Sequence, residues 1–415
     1  MTVRVLFSTT EFPWPATSGG AVRTLSQLRV LASLPEVERV TLISVSERAV
    51  AQAECDALAA MIPKLAVRPP VFHPVHLWRY PRYVPRVLAL RMLGVPYLAA
   101  KWDSPMVREA LRRELRDSSI NIVYVDHLGM ARYLPEIKAA RPLSLSRVAL
   151  DQHNVESAFY RQLAEGSSGL RRRAARFEWR AVTRFEKQAL ETVDAVVTIS
   201  RADADDFEQL TCVRTHVVPV VMESERRSRP HLDRRHFCYV GNLSWRPNVS
   251  GLDWFCQKVW PMIRSRVPDA TLEIVGVGLQ PDTRGRIPIP AAWRVPGVDT
   301  VGFLENLEPL YDRSLGMLAP VLGGSGVRIK ILEGLRAGLP IVTTPDGASG
   351  LPLTDGKEAL IAGDPDAFAE RVERLVSDEG LRIRLRDAGY DYLEEHHSRA
   401  VAQRALRTAL GIGAP

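Results

Sequence analysis

The sequence predicts an α/β protein of two domains, each a parallel sheet covered by helices on both faces. Three observations carry that reading. Short apolar runs of strand length alternate with amphipathic helical stretches along most of the chain, the pattern of strands buried on both faces. At 415 residues the chain exceeds a single core of ordinary size and suggests two domains of about 200 residues each. Finally, the polar, proline-interrupted segment 223–235, ESERRSRPHLDRR, breaks the alternation as a linker would. The expected division is 1–222, the linker 223–235, 236–395, and a terminal helical segment 396–415.

Composition narrows the function. With 46% hydrophobic and 25% charged residues the chain reads as an ordinary soluble globular protein. It has no run of about 18 uncharged apolar residues, and a strand begins at Val3 with no signal peptide before it, so a cytoplasmic protein is expected. Cys55, Cys212, Cys238 and Cys256 are scattered, without a C-x-x-C pair or clustered histidines. That argues against disulfides or a structural zinc site and predicts reduced core thiols. The net charge of +7 is concentrated in Arg161, Arg171, Arg172, Arg173, Arg176, Arg180 and Arg184. These form either a solvated helix face or a patch for anionic lipid or an anionic acceptor; without RNP-like aromatics, a helix-turn-helix signature or a zinc finger, nucleic acid is the weakest reading.

In chain order, strand 3–8 leads through a long loop with two prolines to Gly19-Gly20 and a helix over 21–33. That loop disfavours a dinucleotide fingerprint, which needs its glycines close behind the strand. A strand at 40–45 is followed by a segment, 71–102, that interleaves Trp78, Tyr80, Tyr83, Tyr97 and Trp102 with Arg79, Arg82, Arg86, Arg91 and Lys101. It suits a membrane interface or glycan surface, or equally a half-buried loop and helix. Strand 120–125 ends in Asp126-His127, and strand 148–150 in Asp151-Gln152-His153-Asn154. Polar residues at the carboxyl ends of parallel strands point into the ligand crevice, which makes both histidines candidates, with a structural hydrogen-bonding role as the alternative for His153. Strands at 194–200 and 217–221 close the first domain. The second begins with strand 237–240 and the loop 241–248, followed by helix 255–267, strand 270–275 and a short unit starting at 301–303. After Asp364-Pro365 two helices finish the chain, the second from near Ser398.

The chemistry concentrates in 315–351, LGMLAPVLGGSGVRIKILEGLRAGLPIVTTPDGASGL. An apolar strand, 315–321, runs into Gly323-Gly324-Ser325-Gly326. A helix over 327–337 follows, stopped by Gly338 and Pro340, and then a strand over 341–344. At about 100° per residue Lys330 and Glu333 share a face opposite Ile329, Ile331, Leu332 and Leu335. A glycine loop opening a helix presents amides and the positive end of the helix dipole to phosphate. Lys330 adds charge, while the Glu333 carboxylate suits a vicinal diol such as ribose. The alternative is a surface turn with a solvated i,i+3 ion pair. Arg328 falls in the apolar arc, so it lies outside the regular first turn or reaches for something.

At G-G-S-G-V-R-I-K-I-L-E-G-L-R-A-G-L-P-I-V-T-T with the following Gly350-Leu351, the chain resembles glycosyltransferase family 4, the retaining nucleotide-sugar transferases of the GT-B fold. The resemblance implies two Rossmann-like domains facing across a cleft, with acceptor on the first, donor on the second, and a terminal helix crossing back to the first. It places Glu333 on the donor ribose, Lys330 on the diphosphate with Gly323, Gly324 and Gly326, Arg246 on the diphosphate from the loop starting at Gly241, and Gly302 and Phe303 near the base. Gly19 and Gly20 would lie beside the donor phosphates and His127 on the donor or acceptor side, while His153 and Asn154 are candidates for the acceptor side. Ser325 stands where many members carry a Glu that contacts the transferred sugar. Implied is transfer from a UDP- or GDP-sugar to a glycan, glycolipid or small-molecule hydroxyl, with His127, Arg246 and Lys330 catalytic and no metal or other cofactor. The alternatives are a nucleotide-sugar epimerase of the same fold and a non-catalytic partner subunit.

Overall fold

The computed structural model describes residues 2–413 apart from 17, 75, 77, 78, 141, 143, 227–234, 280–287 and 325. Ser325, Trp78 and most of the expected linker therefore lie outside the described residues. The chain divides into two compact units, Met1–Val220 with Ala400–Pro415, and Val221–Arg399.

Among the described residues the first unit holds eight parallel strands: β1 (Val3–Thr9), β2 (Val37–Ser46), β3 (Leu65–Val67), β4 (Val71–Phe72), β5 (Ile122–Asp126), β6 (Arg147–Gln152), β7 (Ala195–Thr198) and β8 (Thr215–Val217). Their order is β3-β2-β1-β5-β6-β7-β8, with β4 also on β2. All five residues of β5 are buried, which is why these strands read as unbroken apolar runs rather than as alternating ones. Strand order reverses at β1, between β2 and β5, and the register sets Asp126 beside Asp151 at the carboxyl ends of β5 and β6. The helix Arg399–Leu410 belongs to this unit: Arg407 pairs with Glu36 at 3.0 Å, Gln403 donates to Ser33 at 2.9 Å, and Arg147 donates to the Ala409 carbonyl at 2.7 Å.

Among its described residues the second unit has six parallel strands, β9 (His236–Val240), β10 (Thr271–Val275), β11 (Val298–Gly302), β12 (Gly316–Ala319), β13 (Ile341–Thr343) and β14 (Leu360–Ile361), in the order β11-β10-β9-β12-β13-β14. The order reverses between β9 and β12, so the loops that leave those two strands meet at the crevice where open α/β sheets bind ligands.

Several expectations are corrected. Helix 255–267 begins nine residues earlier and runs as Arg246–Trp254, a π-helical stretch Phe255–Val259 and Trp260–Arg266. The wide turn falls just before Pro261, which has no N–H to continue the α ladder. Three helices finish the chain rather than two, Pro365–Ser377, Glu379–His397 and Arg399–Leu410. The strand expected at 217–221 lies at Thr215–Val217. Strands β3, β4 and β14, of two or three residues, are too short to announce themselves by pattern. Cys55, Cys238 and Cys256 are buried thiols, but Cys212 is exposed. No described helix is long and apolar enough to cross a membrane.

Candidate functional site

In the second unit the helix after the glycine loop spans Ile329–Arg336, with Arg328 at its N-cap. Arg328 thus precedes the regular turns, which resolves its place in the apolar arc. Its side chain is buried and turns back into the loop, where Nη2 donates to the carbonyls of Gly323 at 3.1 Å, Gly324 at 2.8 Å and Asp346 at 3.3 Å. The guanidinium also lies 5.2 Å from the centre of the Trp245 ring. Gly323, Gly324 and Gly326 all have positive φ, which only glycine adopts without strain, so the loop conformation is written into the residue type. One amide expected for phosphate is engaged: Gly323 N–H donates to Asp346 Oδ2 at 2.7 Å.

Lys330 lies at the switch point itself. Nζ donates to Asn248 Oδ1 at 2.6 Å and to the Tyr239 hydroxyl at 2.9 Å, and sits 4.5 Å from the centre of the Tyr239 ring. Burial, reinforced by Arg328, lowers its pKa to about 7. Glu333, one turn on, is half-buried, and burial raises its pKa against the pull of Arg336 and Lys330. Its carboxylate makes no hydrogen bond among the described residues. The pair is therefore a poised amine and an open carboxylate beside a preformed loop, not a solvated ion pair.

The remaining candidates of this unit gather more loosely. A Cβ on Gly241 would come within 3.0 Å of Lys330 Nζ and 2.9 Å of the Tyr239 hydroxyl, so the glycine keeps the backbone close to the amine. Its own amide is spent on the Val275 carbonyl at 3.0 Å. Arg246 is the exposed first residue of its helix, between Trp245 and Pro247, both of which pack on Gly324. Gly302 ends β11, and its carbonyl accepts from Gly276 N–H at 2.8 Å; Phe303 projects into solvent.

In the first unit Gly19 and Gly20 form the first turn of the helix Gly19–Ser33 rather than preceding it, capped by Ser18, whose hydroxyl accepts from Ala21 N–H. A Cβ on Gly20 would lie 2.8 Å from Glu11 and 3.6 Å from His127, so small size at 20 leaves room beside both. His127 follows β5 with φ 71°, ψ 145°, a region costly for any side chain. Its Nε2 has no hydrogen-bond partner among the described residues, standing 3.6 Å from Asp126 and 4.0 Å from Glu11. Burial, together with His153 and Arg23, lowers its pKa to about 3, so it is neutral at physiological pH. His153 packs its ring 3.7 Å from that of His127 and hydrogen-bonds Asp126 Oδ1 at 2.7 Å, while Thr24 donates to Oδ2 at 2.7 Å. Burial opposes ionisation of Asp126, but its histidine neighbours and the two hydrogen bonds outweigh it and hold the carboxyl well below its usual range. Burial and the nearby Asp126 raise Glu11. Asn154 is half-buried, and its side chain makes no hydrogen bond among the described residues.

The histidines that look unclustered in sequence therefore meet in space. Asp126, His127 and His153 present ligand-type atoms within 4.8 Å of one another, but the Asp126 oxygens are spent on His153 and Thr24. Asp151, in the same motif, is structural: it forms a buried pair with Arg23 at 2.7 Å and accepts from Tyr124 at 2.8 Å. Sequence reasoning missed Glu11, Thr24, Tyr239, Asn248, Arg328 as a loop clamp, and Asp346. Asn248, Arg328 and Asp346 stand inside the stretches that drew attention in sequence, and Arg328 breaks the helical pattern there, but Glu11, Thr24 and Tyr239 carry no local signal.

Residues 234–378 match the family model described as Glycosyl transferases group 1. Over 265 residues the chain is 26% identical to an uncharacterized 44.6 kDa protein in the cps region of Klebsiella pneumoniae, covering 63% of this chain and 68% of that protein. Over 71 residues it is 35% identical to the lipopolysaccharide core biosynthesis glycosyltransferase LpsE of Rhizobium meliloti (strain 1021), covering 17% of this chain and 21% of that one. Among solved structures, a mutant form of S. aureus TarM, in complex with fondaparinux, α-GlcNAc-glycerol and UDP, aligns with a TM-score of 0.68 at 7% identity over 99% of this chain and 100% of its own. HepE of Anabaena in complex with UDP aligns at 0.64 with 12% identity, over 99% and 100%. The fold is GT-B, the segment 234–378 matches the group 1 glycosyl transferases, and together these similarities support a GT-B glycosyltransferase.

Proposed function

We propose that the protein transfers a sugar from a nucleotide-diphosphate donor, UDP- or GDP-linked, to an acceptor hydroxyl with retention of configuration, in the cytoplasmic synthesis of a polysaccharide, glycan or glycolipid. The observation that carries the reading is the pair Lys330 and Glu333 at the switch point of the second sheet: an amine held by Asn248 and Tyr239 for the diphosphate, and an open carboxylate one turn on for the ribose. UDP in the complexes of TarM and HepE, and the cps and lipopolysaccharide settings of the two relatives, support the same donor and product classes. Retention rests on the family resemblance.

In this reading the diphosphate departs with growing negative charge, which Lys330, Arg246 and the glycine loop stabilise without a metal ion. Gly302 and Phe303 flank the base. Neutral His127, with an uncommitted Nε2, serves as a hydrogen-bond partner for a sugar hydroxyl rather than as a cation. The test is thermal shift with UDP, GDP, ADP and TDP in excess EDTA. Stabilisation by UDP or GDP that is lost in Glu333→Ala supports the reading, because a ligand selective for the folded state stabilises by mass action. No response to any of the four, or a strict need for Mn²⁺ or Mg²⁺, overturns it.

A further inference from the structure

We infer that the first unit carries a docking surface for an anionic lipid bilayer, formed by the end of the helix Val84–Met92 and one stripe of the helix Gly169–Thr192. The inference does not depend on the activity proposed above. In sequence these segments lie some eighty residues apart; the fold joins them. The Arg91 guanidinium lies 5.6 Å from the centre of the Phe177 ring and pairs with Glu178, whose carboxylate also accepts the Tyr97 amide at 2.6 Å.

What the joined surface exposes is apolar and cationic together. Leu88, Met92 and Leu93 are 57%, 89% and 79% exposed, and Leu170 and Phe177 are 80% and 59% exposed. The tip is held, not loose. Gly94 ends the helix with φ 80°, Val95 N–H donates to the Leu90 carbonyl at 3.1 Å, Gly94 N–H to that of Arg91 at 3.0 Å, and Arg91 Nη1 to the Val95 carbonyl at 3.0 Å. Met92 and Leu93 are therefore presented to solvent by a fixed turn. On the long helix Leu170, Arg173, Phe177, Arg180 and Arg184 recur at three- and four-residue intervals, so two exposed apolar residues and three exposed arginines share one stripe. The neighbouring acid, Glu178, is neutralised by Arg91.

Apolar side chains ringed by arginines fit the boundary between acyl chains and phosphate headgroups, where each group meets its own solvent. Exposed apolar side chains grouped on two helices that Arg91 ties together at Phe177 mark a binding face rather than scattered ordinary surface. The occupant we assign is a bilayer rich in anionic phospholipid.

The test is flotation of the full chain with vesicles of phosphatidylcholine alone or mixed with phosphatidylglycerol, at low and high salt. Binding to the anionic vesicles is expected, weakened by salt. Changing Arg173 and Arg180 together to Ser should lower partitioning roughly 30-fold, about fivefold for each side chain. Met92→Asp with Leu93→Asp should abolish what high salt leaves. All four positions are exposed, so the variants should keep the parent melting temperature and nucleotide response, which separates loss of docking from loss of fold or activity. No binding to anionic vesicles at low salt overturns the proposal, as does binding that neither pair of changes alters. A dimer in solution that the Met92→Asp, Leu93→Asp pair dissociates would assign the face to a second copy instead.

Discussion

Lys330 Nζ donates to Asn248 Oδ1 over 2.6 Å, tying the helix that follows the glycine loop to the first turn of the helix Arg246–Trp254. Asn248 is itself held by a bond from its amide to the Asn242 carbonyl at 2.9 Å, so the amine is aimed by a side chain that cannot swing. Asn248→Ala is expected to raise the donor KM about tenfold while leaving most of kcat, since one charge-assisted hydrogen bond is worth about 1.5 kcal/mol. Lys330→Met should lose both parameters, and the double variant should be no worse than Lys330→Met alone; steady-state kinetics on the four proteins checks this.

Donor affinity should depend on pH through the same amine. Lys330 in the free protein titrates near 7, below its ordinary 10.5, because burial disfavours the charge. A bound diphosphate raises that pKa, so binding above pH 7 takes up a proton. Affinity for the nucleotide is expected to be highest below pH 7 and to fall by up to tenfold per unit above it. Stability of the free protein changes in the opposite sense: the unfolded chain holds the extra proton between 7 and 10.5, so this group's contribution to stability rises with pH across that window. Calorimetry in buffers of different ionisation enthalpy counts the proton, and Lys330→Met should remove both dependences.

Glu333→Ala should weaken donor binding by about 1.5–3 kcal/mol, the cost of losing a carboxylate that accepts two hydroxyls. The corresponding 2′- and 3′-deoxynucleotides should bind the parent less well but the variant equally. Unchanged affinity in the variant would remove Glu333 from the site.

His127 holds a backbone geometry that favours glycine. His127→Gly is expected to be more stable to denaturant than His127→Ala by about 1 kcal/mol, because both lose the ring but only one relieves the backbone. Both should lose turnover, because both lose the imidazole. Equal stabilities would refute the backbone strain.

Arg328→Met should lower stability by about 2–3 kcal/mol by removing the donor shared by the carbonyls of Gly323, Gly324 and Asp346. Urea unfolding measures this, and nucleotide affinity should fall with it as the loop loses its fixed form.

The sequence by itself determined the architecture and the glycine loop with the helix face that follows it, because both are written locally. Apolar runs buried on both faces specify parallel strands, glycines at positive φ specify the loop, and helical periodicity sets Lys330 beside Glu333. Even Arg328 announced itself as an exception. The first-unit cluster was only half legible: His127 and His153 could be suspected from their place after strands, but their contact depends on the β5–β6 register, and Glu11 joins them only because strand order reverses at β1. The tie of Arg91 to Phe177 and Glu178, and the engagement of Gly323 by Asp346, likewise lie between segments distant in the chain. Such pairings follow from which strands and helices become neighbours, a property of long-range packing that no local spacing of residues encodes.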